Sequence, residues 1–303
     1  MGHEGVSTIR RICLLGFGEV GGALSSGLAS LPGVELVAWD WQFDRPDSKP
    51  SLQAAQHAHI SRRQSAPEAA VDCGLVISAV TAAQALNAAR SVLPGLKNDA
   101  WFLDLNSVSP GTKKELAKEV AAAGGRFIEG AVMSAIAPHG LASPIIVGGP
   151  HAGQFLTTGR SLGFEKLQLG SSEYGVAAAT KMCRSAVIKG VEALLAEALL
   201  AARHYGVEED VLGSLGDLCP RPDWSRHAHY MISRSVQHGV RRAEEMHEVA
   251  HTIAEAGIQP LMSTACAQRQ QWSAGFIPVL KHEQLNDMLD AILEANRKES
   301  SLA

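Results

Sequence analysis

The sequence predicts an α/β domain followed by an all-α one, and three observations carry that reading. Short apolar runs alternate with helical stretches through the first half, a glycine-rich turn follows the first of these runs, and the strand signal stops after Gly170. The chain has 303 residues, 46% of them hydrophobic, enough to bury the core of one large domain or two ordinary ones.

The strand candidates come in order at residues 11–16, 34–40, 74–80, 101–105, 127–132, 144–148 and 165–169. The first four are nearly continuous in apolarity, which suits parallel strands covered by helices on both faces and hence a doubly wound sheet. Helical patterning then covers 173–205, 208–216, 223–255, 260–272 and 281–297, with breaks at Pro220-Arg-Pro222 and from Gly257 to Pro260. The domains are therefore expected at 1–170 and 171–303, the second entered by a helix of some thirty residues.

Charge and composition exclude several classes. Thirty-one acids face twenty-seven Lys and Arg, a formal charge of −4 without long like-charged runs, so neither nucleic acid nor an anionic membrane is an expected partner. The most apolar later stretch, 187–202, contains Lys189, Glu192 and Glu197 and does not read as a membrane span. Arg10-Arg11 before an apolar run imitates an export signal, but Glu19 and four glycines interrupt the run, so no signal peptide is expected. Five cysteines without CxxC spacing suit reduced thiols and a cytoplasmic location. The Ala- and Leu-rich helical half leads us to expect a homodimer or larger assembly.

Gly16-Phe17-Gly18-Glu19-Val20-Gly21 is a GxGxxG sequence placed directly after a strand and opening a helix. In that context Gly16 makes the tight turn, Gly18 lets the backbone approach a pyrophosphate, and Gly21 lets the helix pack on the strand, the arrangement of a Rossmann-type fold. Asp40 ends the second strand, where a carboxylate accepts from the adenosine ribose and repels a 2′-phosphate, so NAD is favoured over NADP. Arg45 lies near enough to oppose this, and Asp40 also fits a strand-end turn residue.

Beyond this motif the chain resembles the β-hydroxyacid dehydrogenases, the superfamily of 3-hydroxyisobutyrate and 6-phosphogluconate dehydrogenases, over residues 10–200. Leu103-Asp-Leu-Asn-Ser-Val-Ser-Pro110 is similar to the D-x-S-T-x-x-P segment. Residues 127–135 stand where the family has its D-A-P-V-S-G-G loop, and Gly175 to Ser185 resembles G-x-x-x-x-x-K-x-x-N-N. The resemblance implies hydride transfer between a nicotinamide and a small hydroxy-acid-like or alcohol/carbonyl substrate. It implies Lys181 and Ser185 as catalytic residues, Val80, Thr81 and Asn106 beside the cofactor, and Ser107, Met133, Ser134 and Ala135 beside the substrate.

The departures are specific. Ser-Gly-Gly is replaced by Met133-Ser134-Ala135, the two asparagines by Arg184 and Ser185, and the family's later Lys-Asp pair is out of register, which marks a divergent subgroup. Arg242 is a candidate for a substrate anion, because a guanidinium forks onto a carboxylate, although Arg241 and Glu245 also fit an ordinary i,i+4 surface pair. A general-base lysine needs a depressed pKa, which burial among Ala177, Ala178, Ala179 and Met182 beside a cationic ring and Arg184 would supply. Imine reductases share the architecture and usually lack this lysine, which favours hydroxyl or carbonyl chemistry here.

Two other readings remain at this level. His247-Glu248-Val-Ala-His251 fits HExxH, the helix of zinc hydrolases, but no spaced third ligand follows it. A catalytically silent dinucleotide sensor would keep the glycine loop and need no lysine. The role of the Trp224, His227, His229 and Tyr230 group is open between pocket lining and packing.

Overall fold

The computed structural model describes residues 9–218 and 223–300. The break expected at 220–222 lies outside the described residues. The first unit contains β1 (Arg11–Leu15), α1 (Glu19–Ala29), β2 (Glu35–Trp39), α2 (Lys49–Ala55), β3 (Ile60–Arg62), α3 (Ala66–Ala70), β4 (Leu75–Ser78) and α4 (Ala85–Val92). It continues with β5 (Trp101–Asp104), α5 (Pro110–Ala122), β6 (Arg126–Val132), β7 (Ile145–Gly148), α6 (Ala152–Ser161) and β8 (Leu167–Ser171). Then come α7 (Val176–Tyr205), α8 (Glu208–Leu218), α9 (Trp224–Glu255), α10 (Leu261–Ser273) and α11 (Leu285–Ser300).

The eight strands form one sheet in the order β3-β2-β1-β4-β5-β6-β7-β8. Pairings from β3 through to β6 are parallel, as is β7 with β8, whereas β6 and β7 run antiparallel. Alternation along each strand divides the core between the two faces. Ile12, Leu14, Leu36, Ile77 and Leu103 pack with Leu24 and Leu28 of α1 on one side. Cys13, Leu15, Val37, Val76 and Phe102 pack under α3, α4 and α5 on the other. Strand order reverses between β1 and β4, and in such sheets ligands bind at the carboxyl ends of the strands flanking this point.

Two features depart from the sequence reading. β3 is an edge strand of only three residues, Ile-Ser-Arg, with no apolar run to announce it. The helix expected over 281–297 runs from Leu285 to Ser300, and the stretch before it, Ala274–Lys281, where no element was expected, is a 3-10 helix containing Pro278, which has no amide donor.

The chain divides into two compact units, Met1–Met182 and Cys183–Ala303, the division falling within α7. The second unit is helical throughout its described elements. Leu195, Leu199, Met231, Ile232, Val236, Phe276, Met288 and Leu289 form its core. α9 is kinked at His238, and the adjacent Gly239 lets the helix meet α10 closely: an added Cβ would lie 2.3 Å from the Gln270 carbonyl oxygen. No helix among the described residues is long and apolar enough to cross a membrane.

Candidate functional site

At the end of β1 the chain turns through Gly16, whose φ of +90° suits glycine, and a Cβ there would lie 2.5 Å from the Ala79 carbonyl oxygen. Gly21 is equally constrained, because its Cβ would meet the Gly16 oxygen at 2.5 Å. Gly18 is different: space around it is open, it is the N-cap of α1, and no side chain caps the helix there. A helix N-terminus with uncapped amides beside open space is where a pyrophosphate fits.

Phe17, expected among the cofactor contacts, turns its ring into the core against Phe43 and His57 and is fully buried. Its amide donates to Asp40 Oδ2 at 2.9 Å, and the amide of Gln42 donates to Asp40 Oδ1 at 3.0 Å. Asp40, the first residue after β2, therefore braces the glycine loop. It also lines, with Gly16, Trp41, Val80, Gln84 and Asn87, a cavity of about 280 Å³ at the switch point. Arg45 sits with its guanidinium 5.3 Å from the Trp41 ring at this cavity's margin. Glu19 and Thr81 are exposed and Val20 is half-buried.

Asn106 faces inward and is 3% exposed. Its Oδ1 accepts from the Val80 amide at 2.7 Å, and its Nδ2 donates to Ser78 Oγ at 2.9 Å and Asp104 Oδ1 at 2.5 Å. Asp104 in turn pairs with Lys113 on α5, both buried, with Nζ 2.5 Å from Oδ2. Ser107, the next residue after Asn106, accepts a hydrogen bond from Lys181 Nζ at 2.6 Å.

Lys181 reaches Ser107 because of how α7 starts. Gly175, at φ +97°, breaks the chain direction after β8. The buried carboxylate of Glu129 on β6 then accepts from the amides of Gly175 at 2.6 Å and Ala178 at 2.5 Å. A carboxylate at a helix N-terminus satisfies orphan donors and complements the helix dipole. It fixes the first turn, with Ala177, Ala178 and Met182 buried and Lys181 half-buried. Glu129 also accounts, after burial, for the raised pKa of Tyr174, whose hydroxyl donates to the Phe127 carbonyl.

The remaining candidates are spread more widely. Met133 donates its amide to the Pro144 carbonyl, while Ser134 and Ala135 are exposed, Ser134 Oγ being turned to the Ala135 oxygen. Ser185 lies one turn beyond Lys181 on α7 and is buried, whereas Arg184 is exposed. Arg242, expected to take a substrate anion, already holds the carboxylate of Glu192 within the helical unit, and burial lowers its pKa. Periodicity could not reveal that Glu192 of α7 would be presented to α9. Arg241 forms the i,i+4 pair with Glu245 at 2.9 Å, and Lys189 pairs with Glu245 at 2.7 Å.

His247 and His251 are exposed on α9, and among the described residues no group of three or more His, Cys, Asp or Glu side chains could hold a metal ion. The sequence reading passed over Lys113 and Glu129. A signal for the first was present: Lys113 shares one helical face with Leu116, Ala117 and Val120, and a lysine in an apolar stripe needs a buried partner.

The NAD binding domain of 6-phosphogluconate dehydrogenase matches residues 11–154, so this segment is a nicotinamide dinucleotide-binding domain, and a domain of unknown function, DUF1932, matches residues 202–273. A conserved hypothetical protein from Sinorhizobium meliloti 1021 is 34% identical, with a TM-score of 0.72 over 95% of this chain and 97% of that one. A conserved protein of unknown function, MTH1747, described as structurally similar to 3-hydroxyacid dehydrogenases, is 33% identical over 88% of this chain and 97% of that one, with a TM-score of 0.66. The 3-hydroxyisobutyrate dehydrogenase of Mycobacterium tuberculosis, solved with L-serine, shares the fold at a TM-score of 0.68 and 17% identity over 94% of this chain and 99% of that one. Among curated proteins, the cytokine-like nuclear factor N-PAC of Xenopus tropicalis is 28% identical over 131 residues, which span 42% of this chain and only 23% of that protein. With both halves of the domain pair present and near-complete coverage of relatives above 30% identity, the chain belongs to the family of 3-hydroxyacid-dehydrogenase-like proteins in which an NAD-binding domain of the 6-phosphogluconate dehydrogenase type precedes a DUF1932 domain.

Proposed function

We propose that the protein is a nicotinamide-dependent oxidoreductase acting on the CH-OH group of a small hydroxy-acid-like or alcohol substrate, or on the corresponding carbonyl. The observation that carries this reading is the 2.6 Å hydrogen bond from Lys181 to Ser107, beside the ends of β4 and β5 in a dinucleotide-binding domain. When bound, the nicotinamide supplies the hydride acceptor or donor. Lys181 takes the hydroxyl proton in oxidation and returns it in reduction, and Ser107 orients the amine and the reacting oxygen. Gly16, Gly18 and Gly21 with the first amides of α1 hold the pyrophosphate, and Asp40 sets the adenosine end, favouring NAD over NADP.

In this reading residues 1–170 serve the cofactor and 171–303 the substrate and self-association. Exposed Val187, Leu194, Leu261 and Met262 in the helical unit support a homodimer or larger assembly. The altered loop at Met133 to Ala135 supports a substrate unlike that of the better-known relatives. Screening hydroxy acids and alcohols with NAD+ and NADP+, and their carbonyl forms with NADH and NADPH, tests the proposal. Tight dinucleotide binding without turnover on a wide panel would favour a sensor, and absence of dinucleotide binding would remove the reading altogether.

A further inference from the structure

Lys113 is 1% exposed and Asp104 is fully buried, and such a pair is poor value as a source of stability, since desolvating two charges offsets most of their attraction. Its connections suggest another use. Lys113 Nζ contacts Asp104 Oδ2 at 2.5 Å and the Asp104 carbonyl oxygen at 2.9 Å, which fixes both ends of that residue at the exit of β5. The second oxygen of Asp104 takes Asn106 Nδ2, which leaves Asn106 Oδ1 aimed at the Val80 amide at the exit of β4. An inverted amide would set a carbonyl against a carboxylate and an N–H₂ against an N–H, so only one orientation of Asn106 satisfies the chain of contacts.

We infer that Lys113 and Asp104 are positioning residues for the nicotinamide half of the cofactor. Acting through Asn106, they lock the loop ends of β4 and β5 on which Val80 and Ser107 stand. The inference rests on the dinucleotide reading above. The glycine loop on β1 and α1, which serves the adenosine diphosphate half, makes none of these hydrogen bonds and meets this end of β4 only where Gly16 packs on Ala79 and Val80.

The test replaces the pair by apolar residues, Lys113→Met with Asp104→Leu, which often leaves stability unchanged. Affinities for NADH and for ADP-ribose, which lacks the nicotinamide, are then measured by calorimetry alongside the melting temperature. We expect ADP-ribose affinity to stay within about twofold while NADH binding weakens about tenfold or more, and Asn106→Ala in the same background to add nothing, since the three residues act as one unit. Equal losses for both ligands, retained NADH affinity, or an additive effect of Asn106→Ala would overturn it. Asn106→Ala alone, which keeps the ion pair, must show the same selective loss, so the inference stays exposed even if the pair variant does not fold. A wild-type protein that binds ADP-ribose and NADH equally would contradict it, whereas one that binds neither removes the dinucleotide reading itself.

Discussion

Lys181 and Ser107 are 74 residues apart in sequence and 2.6 Å apart in the fold, amine to hydroxyl. The contact joins the second turn of α7 to the loop between β5 and α5, and it places the candidate acid/base beside residues that organise the cofactor end of the sheet. Changing Lys181 to Ala should therefore lower kcat by about a hundredfold or more while leaving NADH affinity nearly unchanged. Arginine at 181 should not restore turnover, because guanidinium keeps its proton near neutral pH. Steady-state kinetics with a separate binding titration checks both statements, and normal turnover by the Ala variant would move the proton-transfer role elsewhere, first to His227 and His229.

Glu129 is the anchor of that arrangement. Replacing it with Gln keeps the shape but offers one acceptor and one donor where two acceptors are needed against the amides of Gly175 and Ala178. The expected cost is about 1–3 kcal/mol of stability, together with a fall in kcat. Denaturant melts checked against turnover at saturating substrate would expose a variant that loses neither, in which case the first turn of α7 is held by something else.

For cofactor choice, wild-type protein should bind NADH more tightly than NADPH, and Arg45→Ala should weaken NADPH further without weakening NADH. Because Asp40 also receives the Phe17 and Gln42 amides, Asp40→Ala should weaken both cofactors together, unlike a residue that only discriminates between them. Parallel titrations of the three proteins decide this, and an Asp40→Ala variant that simply gains NADPH would show that the bracing contacts are dispensable.

The thiols make a prediction about pH. Burial pushes the Cys73 thiol up to about 12 and the Cys266 thiol up to about 11, and it raises Cys13 as well, so at pH 8 these groups stay protonated and unreactive. Cys183 is exposed. Alkylation of native protein at pH 8 followed by mass mapping should modify Cys183 well before Cys13, Cys73 and Cys266, which should react only on unfolding. Early modification of Cys73 would mean that the face of the sheet under α3 opens readily.

Much of this fold was legible because buried parallel strands advertise themselves. Ile12 to Leu15, Leu75 to Ile77 and Trp101 to Leu103 are apolar without interruption, and the glycines at 16, 18 and 21 have steric reasons visible in their spacing. Ile60 to Arg62 carries no such mark, since an edge strand needs only backbone pairing. The antiparallel turn of β7 was equally silent, because apolarity reports burial and not direction. At the site, Lys181 was found through its motif, but the inward turn of Asn106 and the pairing of Arg242 with Glu192 depend on contacts between distant segments. Such contacts follow from packing, which local spacing does not encode.

The start of α7 is held by a strand and not by a cap of its own, and this ties its local opening to that of the sheet. Helix ends ordinarily fray and exchange their amide hydrogens through small, cheap fluctuations. Here the amides of Gly175 and Ala178 end on a carboxylate in the middle of β6, so freeing them means withdrawing a buried charge from its donors. The amides of Gly175 and Ala178 are thus expected to exchange slowly, with the sheet and not with a fraying helix end, and the lysine that follows them to share that restraint.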